Sequence, residues 1–401
     1  MARSSGPDRR PSGIPNSRAR AVLPREVVTP VHRRPSSVIR PAMARMPWLA
    51  ARPVPRPTRM PDSTWAAAAS PAARQARCRS SSTAGRLCET QLVSEIAPGI
   101  EVIDTRMWGW EAVTSAYLVR GDAPAIVDTG PQTSAATVGR ALADRGIGPG
   151  DLAWIVLTHI HLDHCGASGH LARSFPDARV VVHPRGARHI AEPERLIAGS
   201  AAVYGAQFRR YGGLEPVPAE RIDAVADGDR VRIGPQRELV AIEAPGHARH
   251  QHAFLDTATG TVLAGDALGV RLQGGGLFPA LPPPDVDMEA GRASVAAIAE
   301  RKPTAVGLGH FGAAGDPAEV LEQADALWAA MAVAGRSGWR NGGSVAAVGE
   351  AVEAAWPAAA RLGPRAHATL TELAWIEATA EGVARWAQRQ EREGGDSAPD
   401  E

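Results

Sequence analysis

The segment Thr158–His164 reads Thr-His-Ile-His-Leu-Asp-His and directly follows the apolar run Ala153–Leu157. Its four polar ligand-type side chains cannot share one face of a helix or of a straight strand, so the backbone must change direction inside the segment. If the chain is extended through His159 and His161, both rings point the same way, and a turn after Leu162 brings the last two side chains towards them. Neutral imidazoles and carboxylates are ligands that suit zinc, and also iron or manganese. The segment therefore predicts a metal site in which one loop can serve two neighbouring ions.

The positive charge of the chain is concentrated near its N-terminus. Residues 1–90 contain 17 Arg, no Lys and 4 acidic residues, and because the whole chain has a formal net charge of +1, residues 91–401 carry −12. Residues 1–90 also hold 13 of the 33 prolines and show no sustained apolar period, so we predict that they are disordered. Their arginines are spread out and are not interleaved with aromatic residues, which disfavours binding to nucleic acid or to a membrane.

The three cysteines predict no disulfide framework. Cys78 and Cys88 lie in the basic segment, and Cys165 follows the histidine motif. Such sparse cysteine usage is typical of a reducing compartment, so we expect the protein to be cytoplasmic. The sequence has no apolar stretch of the roughly 18 residues that a membrane span requires, and its uncharged N-terminal stretches are too short or too interrupted by proline for a secretory signal.

From Gln91 onward, short apolar runs alternate with turn residues and with helical periods. Helices are predicted from Thr133 to Arg145 and from Gly166 to Ser174, each between strands. Strand–helix–strand units of this length are typical of a layered α/β domain with helices outside a sheet. The predicted strands are residues 100–103, 116–119, 125–127, 153–157, 179–183, 230–233, 239–243, 253–256, 261–264 and 305–309.

Four further candidate site residues lie directly after predicted strands. Asp128 follows the third strand, and His247 follows Ala-Pro-Gly at the end of another. Asp266 and His310 each follow a glycine at a strand end. Together with the histidine motif, five polar loops therefore follow five strand-like runs. The other histidines of this region are interpreted as supporting, packing or structural residues: His183, His189, His250 and His252.

In this order, the site residues resemble the ligand series of the metallo-β-lactamase-fold hydrolase superfamily. The resemblance covers roughly residues 95–315. It implies an α/β fold of four layers, an αββα sandwich in which two sheets pack face to face, with helices outside and metals at one edge of the sheets. The matching positions are Asp128, His159-x-His161-x-Asp163-His164, Gly246-His247, Gly265-Asp266 and Gly309-His310.

The resemblance also implies a dinuclear metal centre. Two zinc ions are the expected cofactors, with iron or manganese as alternatives, and a hydroxide shared between the metals is the implied nucleophile. Asp163 is expected to act in catalysis as well as to bind metal, and Asp128 to support the motif from behind the ligands. The implied ligands are His159, His161 and His247 for one ion, Asp163, His164 and His310 for the second, and Asp266 as the bridge.

The ligand types indicate a substrate class. The commonest metallo-β-lactamases use a cysteine where Asp266 stands, and Cys165 is offset from that position. The best match is the glyoxalase II, lactonase and general hydrolase group, which implies cleavage of an ester, thioester or lactone. Glyoxalase II continues after its last histidine with an acidic residue and a tyrosine, whereas this chain reads His310-Phe311-Gly312 and has no clear basic cluster. A glutathione thioester is therefore not the expected substrate.

Two other activities remain as alternatives. Persulfide dioxygenases of the same superfamily use a single iron held by some of these ligands, and a phosphodiesterase or nuclease uses the same ligand set. The charge of −12 on residues 91–401 disfavours a polyphosphate substrate. We therefore expect a small-molecule substrate, with neither nucleic acid nor a membrane as partner, and the sequence leaves a homodimer open.

The predicted organisation has three parts. They are a disordered segment over residues 1–90, a metallo-β-lactamase-fold domain over residues 91–315 and a helical extension over residues 316–401. Inside the domain, residues 184–229 carry a weak signal with one helix near residues 194–205. They are interpreted either as a lid or a wall over the site or as a solvated surface excursion.

The helical extension is rich in alanine, leucine and tryptophan. Three helices are predicted, over residues 317–333, 344–355 and 368–392, with joints rich in glycine or proline. The tryptophans either pack inside the extension or contact a substrate or a partner subunit; they are Trp328, Trp339, Trp356, Trp375 and Trp386.

Overall fold

Seven strands form the sheet into which the histidine motif is built. The computed structural model describes residues 95–272, 275–356 and 364–395, and the basic segment predicted to be disordered lies outside the described residues. In the order β1 to β7, neighbouring strands pair antiparallel from β1 to β4 and parallel from β4 to β7. The strands are β1 Glu95–Ala97, β2 Ile100–Asp104, β3 Ser115–Val119, β4 Ala125–Val127, β5 Trp154–Val156, β6 Arg179–Val182 and β7 Ile222–Ala224.

A second sheet has six strands, and a separate two-stranded ribbon lies between them in the sequence. The order in the second sheet is β15-β14-β11-β10-β9-β8, with one parallel pair, β11 with β14. Its strands are β8 Arg230–Gly234, β9 Arg237–Glu243, β10 His252–Asp256, β11 Thr261–Leu263, β14 Ala305–Leu308 and β15 Gly312–Ala313. The ribbon consists of β12 Val270–Arg271 and β13 Leu277–Phe278.

One apolar core lies between the two sheets. Along β3, Tyr117 and Val119 belong to this inner core, whereas Leu118 belongs to the core on the outer face of the sheet. Phe254 and Leu263 enter the inner core from the second sheet. Because successive side chains of a strand point to opposite faces, each sheet buries one face against the other sheet and its second face against helices.

Helices cover the outer faces. The first sheet packs against α1 and α3, and the second packs against α6, so the layers run αββα as the sequence predicts. Within the described ranges the helices are α1 Ala135–Asp144, α2 Leu162–Cys165, α3 Ser168–Ser174, α4 Pro184–Ala191, α5 Glu194–Tyr204, α6 Met288–Glu300, α7 Pro317–Gly342, α8 Val345–Ala355, α9 Pro364–Glu372 and α10 Trp375–Gly395. None of these helices is long and apolar enough to cross a membrane.

Besides the one-turn helix α2, where the sequence predicts a turn, two longer helices are absent from the sequence interpretation. The short helix α4 begins with Pro184 in its first turn, and the side chain of His183 caps it by accepting the backbone N–H of Arg185. The helix α6 is capped by the Asp287 carboxylate, which accepts the N–H of Ala290 at 2.9 Å. Both start signals are present in the sequence, but neither helix carries a long apolar period.

The prediction of three helices in the extension is wrong. The stretch 368–392 is interrupted, because Ala374 adopts a left-handed conformation with φ of 55° between α9 and α10. The first helix extends beyond the predicted end to Gly342, and Gly343 ends it with φ of 56°. Four helices therefore lie in the described part of the extension.

Candidate metal centre

The histidine motif leaves β5 as extended chain and then turns into a helix. His161 has φ of −67° and ψ of 145°, and it precedes the short helix α2. The backbone N–H of His164 donates to the carbonyl of His161 at 2.9 Å, which closes the turn. The predicted change of direction after Leu162 is thus present, and it places all four ligand-type side chains of the motif at one end of β5.

Three imidazoles form the first group of ligand atoms. His159 and His161 come from the motif, and His247 comes from the loop after β9. Nδ1 of His161 lies 2.7 Å from Nε2 of His247, and one nitrogen of each ring lies within 4.8 Å of the others. The ring centroids of His159 and His247 are 5.0 Å apart.

The second group consists of one carboxylate and two imidazoles. Nε2 of His164 lies 3.0 Å from Nε2 of His310, and Nε2 of His310 lies 3.5 Å from Oδ2 of Asp163. His310 arrives from the loop after β14. All three side chains are buried.

Asp266 lies between the two groups. Its Oδ2 is 3.5 Å from Nε2 of His164, 3.6 Å from Nε2 of His247 and 3.7 Å from Nε2 of His310. This one oxygen is therefore almost equally distant from members of both groups. The structure thus brings together all seven residues that the sequence predicts as ligands.

Hydrogen bonds behind the ligands determine which ring nitrogens face the centre. Nδ1 of His247 donates to the carbonyl of Ala280 at 2.6 Å, and Nδ1 of His310 donates to the carbonyl of Val113 at 2.6 Å. Nδ1 of His164 lies 3.0 Å from the Asp128 carboxylate, which can only accept when ionised. With Nδ1 protonated, a neutral ring presents the lone pair of Nε2 to the centre.

Asp128 also orients His159, through Thr158. The carboxylate accepts the backbone N–H of Thr158 at 2.9 Å and its hydroxyl at 2.8 Å. Because that hydroxyl has only one proton, its oxygen accepts from Nδ1 of His159, which lies 3.0 Å away. Nε2 of His159 is left to point inward. The position of Asp128 depends on a left-handed backbone, with φ of 59°, which aspartate tolerates better than most residues.

The residues fit a cation. Nε2 of His159 and Oδ1 of Asp266 are buried and have no hydrogen-bond partner among the described residues, and such atoms carry a large desolvation penalty unless something binds them. Gly309 leaves the space open, because a Cβ there would lie 2.6 Å from Oδ1 of Asp266 and 2.7 Å from the His164 ring. Imidazole nitrogens and carboxylate oxygens are the donors that zinc, iron and manganese share.

The charges of the centre are coupled. Burial and the neighbouring imidazoles hold the pKa of His159 and of His161 well below the ordinary value, so both rings are neutral at neutral pH. Burial alone raises the pKa of Asp163, but His164 and His310 outweigh it and lower this pKa to about 2. The pKa of Asp266 is also lowered, since nearby imidazoles outweigh its burial.

The pKa of His164 is raised, whereas the pKa values of His159 and His161 are lowered. Burial lowers the pKa of His164, but the carboxylates of Asp266, Asp163 and Asp128 outweigh burial and raise this pKa well above the ordinary value. Its proton and a metal ion compete for the same nitrogen, so metal binding is expected to release a proton.

Replacing Asp128 with asparagine is expected to weaken metal binding by about 10–100-fold, the usual cost of removing a partner behind a metal ligand. The asparagine amide has one oxygen where the carboxylate has two, so it cannot accept hydrogen bonds from both Thr158 and His164. The His159 and His164 rings therefore lose their fixed orientation. Competition with a chromophoric chelator measures the affinity. Asp122→Asn, at an exposed turn, is the control, and an affinity equal to that of the unchanged chain would contradict the role given to Asp128.

Outside the seven candidate ligands, a third group of side chains could supply atoms to a metal. His183, Glu243 and His252 have ligand atoms within 4.8 Å of one another. However, Nδ1 of His183 accepts the N–H of Arg185 at 3.0 Å, so its proton is on Nε2, which donates to Glu243 at 3.1 Å. This tautomer has no lone pair on Nε2 for a metal. His183 therefore has a structural contact, as the cap of α4.

His250 does not belong to any of these metal-type groups. Its Nδ1 lies 3.4 Å from the backbone N–H of Ile160, and its ring lies parallel to that of His159 with centroids 6.3 Å apart. Burial and the nearby His247 lower the pKa of His250 to about 3. It is therefore a neutral packing residue beside the centre.

A cavity opens over the metal centre, and sequence reasoning did not predict most of its walls. The loop after β13 and the helix α10 supply the wall opposite the ligands. Tyr204 from the end of α5 also lines it, in agreement with the wall predicted for the insertion. The two carbonyls that orient His247 and His310 were not predicted either. Every residue has a backbone carbonyl, so the residue type does not indicate which carbonyl binds a histidine. Trp375 was signalled only as one of several tryptophans.

An αββα sandwich with an imidazole and carboxylate centre at the ends of its strands defines a class of metal-binding enzyme folds. Residues 109–310 match a family model described as "Metallo-beta-lactamase superfamily". That match covers half of the chain, so this protein belongs to the metallo-beta-lactamase superfamily. Proteins of this superfamily are generally hydrolases and typically bind divalent metals.

Sequence relatives come from bacteria, archaea and humans. The chain is 30% identical over 186 residues to the uncharacterized protein YobT of Bacillus subtilis, covering 43% of this chain and 73% of YobT. It is 29% identical over 165 residues to the metallo-beta-lactamase fold-containing protein ST1585 of Sulfurisphaera tokodaii, covering 40% and 61%. Human metallo-beta-lactamase domain-containing protein 1 is 30% identical over 156 residues, covering 39% and 44%.

Two solved structures share the fold. The crystal structure of the archaeal superfamily protein ST1585 from Sulfolobus tokodaii superposes with a TM-score of 0.55 at 23% identity, covering 71% of this chain and 98% of that one. The structure of the family protein TTHA1429 from Thermus thermophilus gives a TM-score of 0.52 at 22% identity, covering 74% and 94%. At these identities the likeness supports the fold alone.

Proposed function

We propose that this protein is a dinuclear metal-dependent hydrolase that cleaves an ester, a thioester or a lactone. The observation that carries the proposal is the convergence of seven ligand side chains, three of whose imidazoles are turned inward by Nδ1 contacts to Asp128, Ala280 and Val113. Hydrogen bonds that orient metal ligands in this way are a regular property of metal sites.

The number of donor atoms favours two ions rather than one. Each of the two groups supplies three protein ligands, which is the usual number at a catalytic zinc with one open position. Oδ2 of Asp266 lies 3.5–3.7 Å from members of both groups. Its position suits a carboxylate that joins two ions.

When bound, such ions lower the pKa of a water ligand from about 15.7 to about 7 and polarise a carbonyl oxygen. The protein's own residues orient and protect this chemistry. Asp163 is ionised at neutral pH, because His164 and His310 lower its pKa to about 2 despite burial, and it would accept a hydrogen bond from a water held beside it. Trp375 and Leu281 on the opposite wall present apolar surface to the cavity.

The chain does not need a side-chain nucleophile at this site. Cys165 is the thiol next to the ligands, but its Sγ donates to the carbonyl of Ile160 at 3.3 Å and is fully buried. Burial and the nearby Asp163 raise the pKa of this thiol well above its ordinary value, so it stays protonated at neutral pH.

Metal removal tests the proposal. We expect about two divalent ions per chain by elemental analysis, and hydrolysis of p-nitrophenyl esters, thioesters or lactones that is lost on dialysis against a chelator. Adding zinc or manganese back should restore both metal content and rate. Protein that binds no metal at any stoichiometry would overturn the proposal, as would bound iron with oxygen consumption on a thiol or persulfide and no hydrolysis.

A further inference from the structure

The wall of the cavity opposite the metal ligands is mostly apolar, and three of its six residues come from the helical extension. Little space lies between this wall and the ligands, because only about 10 Å³ of the cavity is open to the centre of a water molecule, close to the minimum that holds one water. The ligand side of the cavity is the imidazole and carboxylate cluster. The opposite side is lined by Tyr204, Leu281, Pro282, Trp375, Ala378 and Thr379.

Hydrogen bonds hold this wall rigidly. The Thr379 hydroxyl of α10 donates to the carbonyl of Pro279 at 2.9 Å and accepts the N–H of Leu281 at 3.1 Å. Between these two residues, the carbonyl of Ala280 accepts Nδ1 of the ligand His247 at 2.6 Å. One short loop therefore connects α10 to a metal ligand.

Close packing supports the same conclusion. Gly382 lies one helical turn after Ala378 on α10, and a Cβ at Gly382 would overlap the carbonyl oxygen of Leu281. The Trp375 ring stands edge-on to the His310 ring, with centroids 4.7 Å apart and an interplanar angle of 79°. The helix α10 can therefore not move away from the metal centre without breaking its contacts with the loop and with a ligand.

The wall offers no positive charge to a substrate. Among the residues that the structure describes, the cavity lining includes neither lysine nor arginine. Arg210 of the neighbouring insertion is engaged elsewhere, since its guanidinium lies 4.0 Å above the Trp108 ring and 3.2 Å from the Glu372 carboxylate. A charged group placed against this wall would lose its hydration without gaining a partner.

From these contacts we infer that α10 determines the specificity of the site: it admits a compact, uncharged, apolar group of the substrate, and Ala378 sets the size of that group. This inference rests on the proposed hydrolase function, because it assigns the part of an ester, thioester or lactone that does not contact the metals. The small side chain of Ala378 provides the space, and its larger neighbours Trp375 and Leu281 limit that space.

The test uses the full metal-loaded chain and p-nitrophenyl acetate, butyrate, hexanoate and hydrogen glutarate. We expect kcat/KM for butyrate to exceed that for the charged glutarate ester at least about tenfold. Ala378→Leu should lower the butyrate-to-acetate ratio of kcat/KM by about tenfold, since one or two methylene groups in a pocket change discrimination by roughly 10–200-fold. Ala378→Gly should raise the hexanoate-to-acetate ratio.

Ala346→Leu makes the same change at an exposed position of α8 and should leave these ratios within about twofold. Circular dichroism and metal content show whether each variant is folded and loaded, and Ala378→Gly tests the inference if Ala378→Leu fails to fold. A preference for the glutarate ester would overturn the inference, and so would ratios in either Ala378 variant that match those of the unchanged chain.

Different experimental results would contradict the proposed function and this inference. If the protein holds two metals but cleaves none of the esters, the proposed function fails on this substrate class. Calorimetric binding of acetate, butyrate and glutarate to the same protein then tests the wall without turnover. Weaker butyrate binding in Ala378→Leu, with acetate unchanged, supports the inference, and equal loss of both or neither overturns it.

Discussion

Asp266→Ala is expected to reduce hydrolysis by about a thousandfold or more and to lower metal content from about two ions per chain to one or fewer. The carboxylate lies 3.5–3.7 Å from imidazole nitrogens of both ligand groups, so its removal affects both. Metal ions contribute several kcal/mol of transition-state stabilisation, and each tenfold in rate corresponds to about 1.36 kcal/mol. Steady-state kinetics with elemental analysis of the same sample measures both effects.

The matched control is Asp325→Ala on α7. Asp325 is exposed and pairs with Arg292 at 2.8 Å on the surface, so its loss should change neither rate nor metal content. Asp266→Asn separates charge from shape, because the amide keeps an oxygen but not the negative charge. If Asp266→Ala retained two metals and more than about a tenth of the rate, the role of Asp266 as the carboxylate that joins the two sites would be wrong.

Phe254→Ala is expected to destabilise the protein by about 3–5 kcal/mol, the usual cost of removing a fully buried aromatic ring. Phe254 of β10 is 0% exposed and packs between the two sheets with residues from both, including Tyr117 and Leu263. The cavity left by the ring is enclosed by β-sheet on both sides, which relaxes less easily than a surface site. Chemical denaturation monitored by circular dichroism measures the loss.

Two further substitutions make this prediction falsifiable. Phe254→Leu retains much of the volume and should cost less than Phe254→Ala, which keeps a folded sample available if the alanine variant does not fold. Val333→Ala on α7 removes an apolar side chain that is 62% exposed and should change stability by no more than about 0.5 kcal/mol. A Phe254→Ala cost as small as that of Val333→Ala would show that the sheets do not share one core.

Much of the fold could be predicted because its strands are short apolar runs that end at turn residues. The strands after which Asp128, His247, Asp266 and His310 lie are each read from such a run. The helices α4 and α6 were not predicted, because their apolar faces are narrow. The only start signals in their sequences are the residues at their N-termini, Pro184 and Asp287. The break at Ala374 has no sequence signal, since alanine favours helix and rarely adopts the left-handed conformation that it has here.

The candidate ligands could be predicted because metal ligands require particular residue types, whereas the groups that orient them do not. The groups that Val113 and Ala280 contribute are backbone carbonyls, which every residue type has. Likewise, Ala378 and Gly382 matter for the space they leave, which is a property of the surroundings. Only the position of α10 against the loop after β13 shows that the helical extension belongs to the site.

The sequence by itself therefore determined which side chains are candidate metal ligands, that they follow strand ends, and the superfamily to which the chain belongs. The imidazole and carboxylate residues, and the apolar strands that they follow, can each be recognised from a short stretch of the sequence. The tertiary structure decided which ring nitrogens face the centre and what shape of space lies above it. Both depend on contacts between residues distant in the sequence, from 33 positions for His247 with Ala280 to 197 for His310 with Val113, and no local pattern records such contacts.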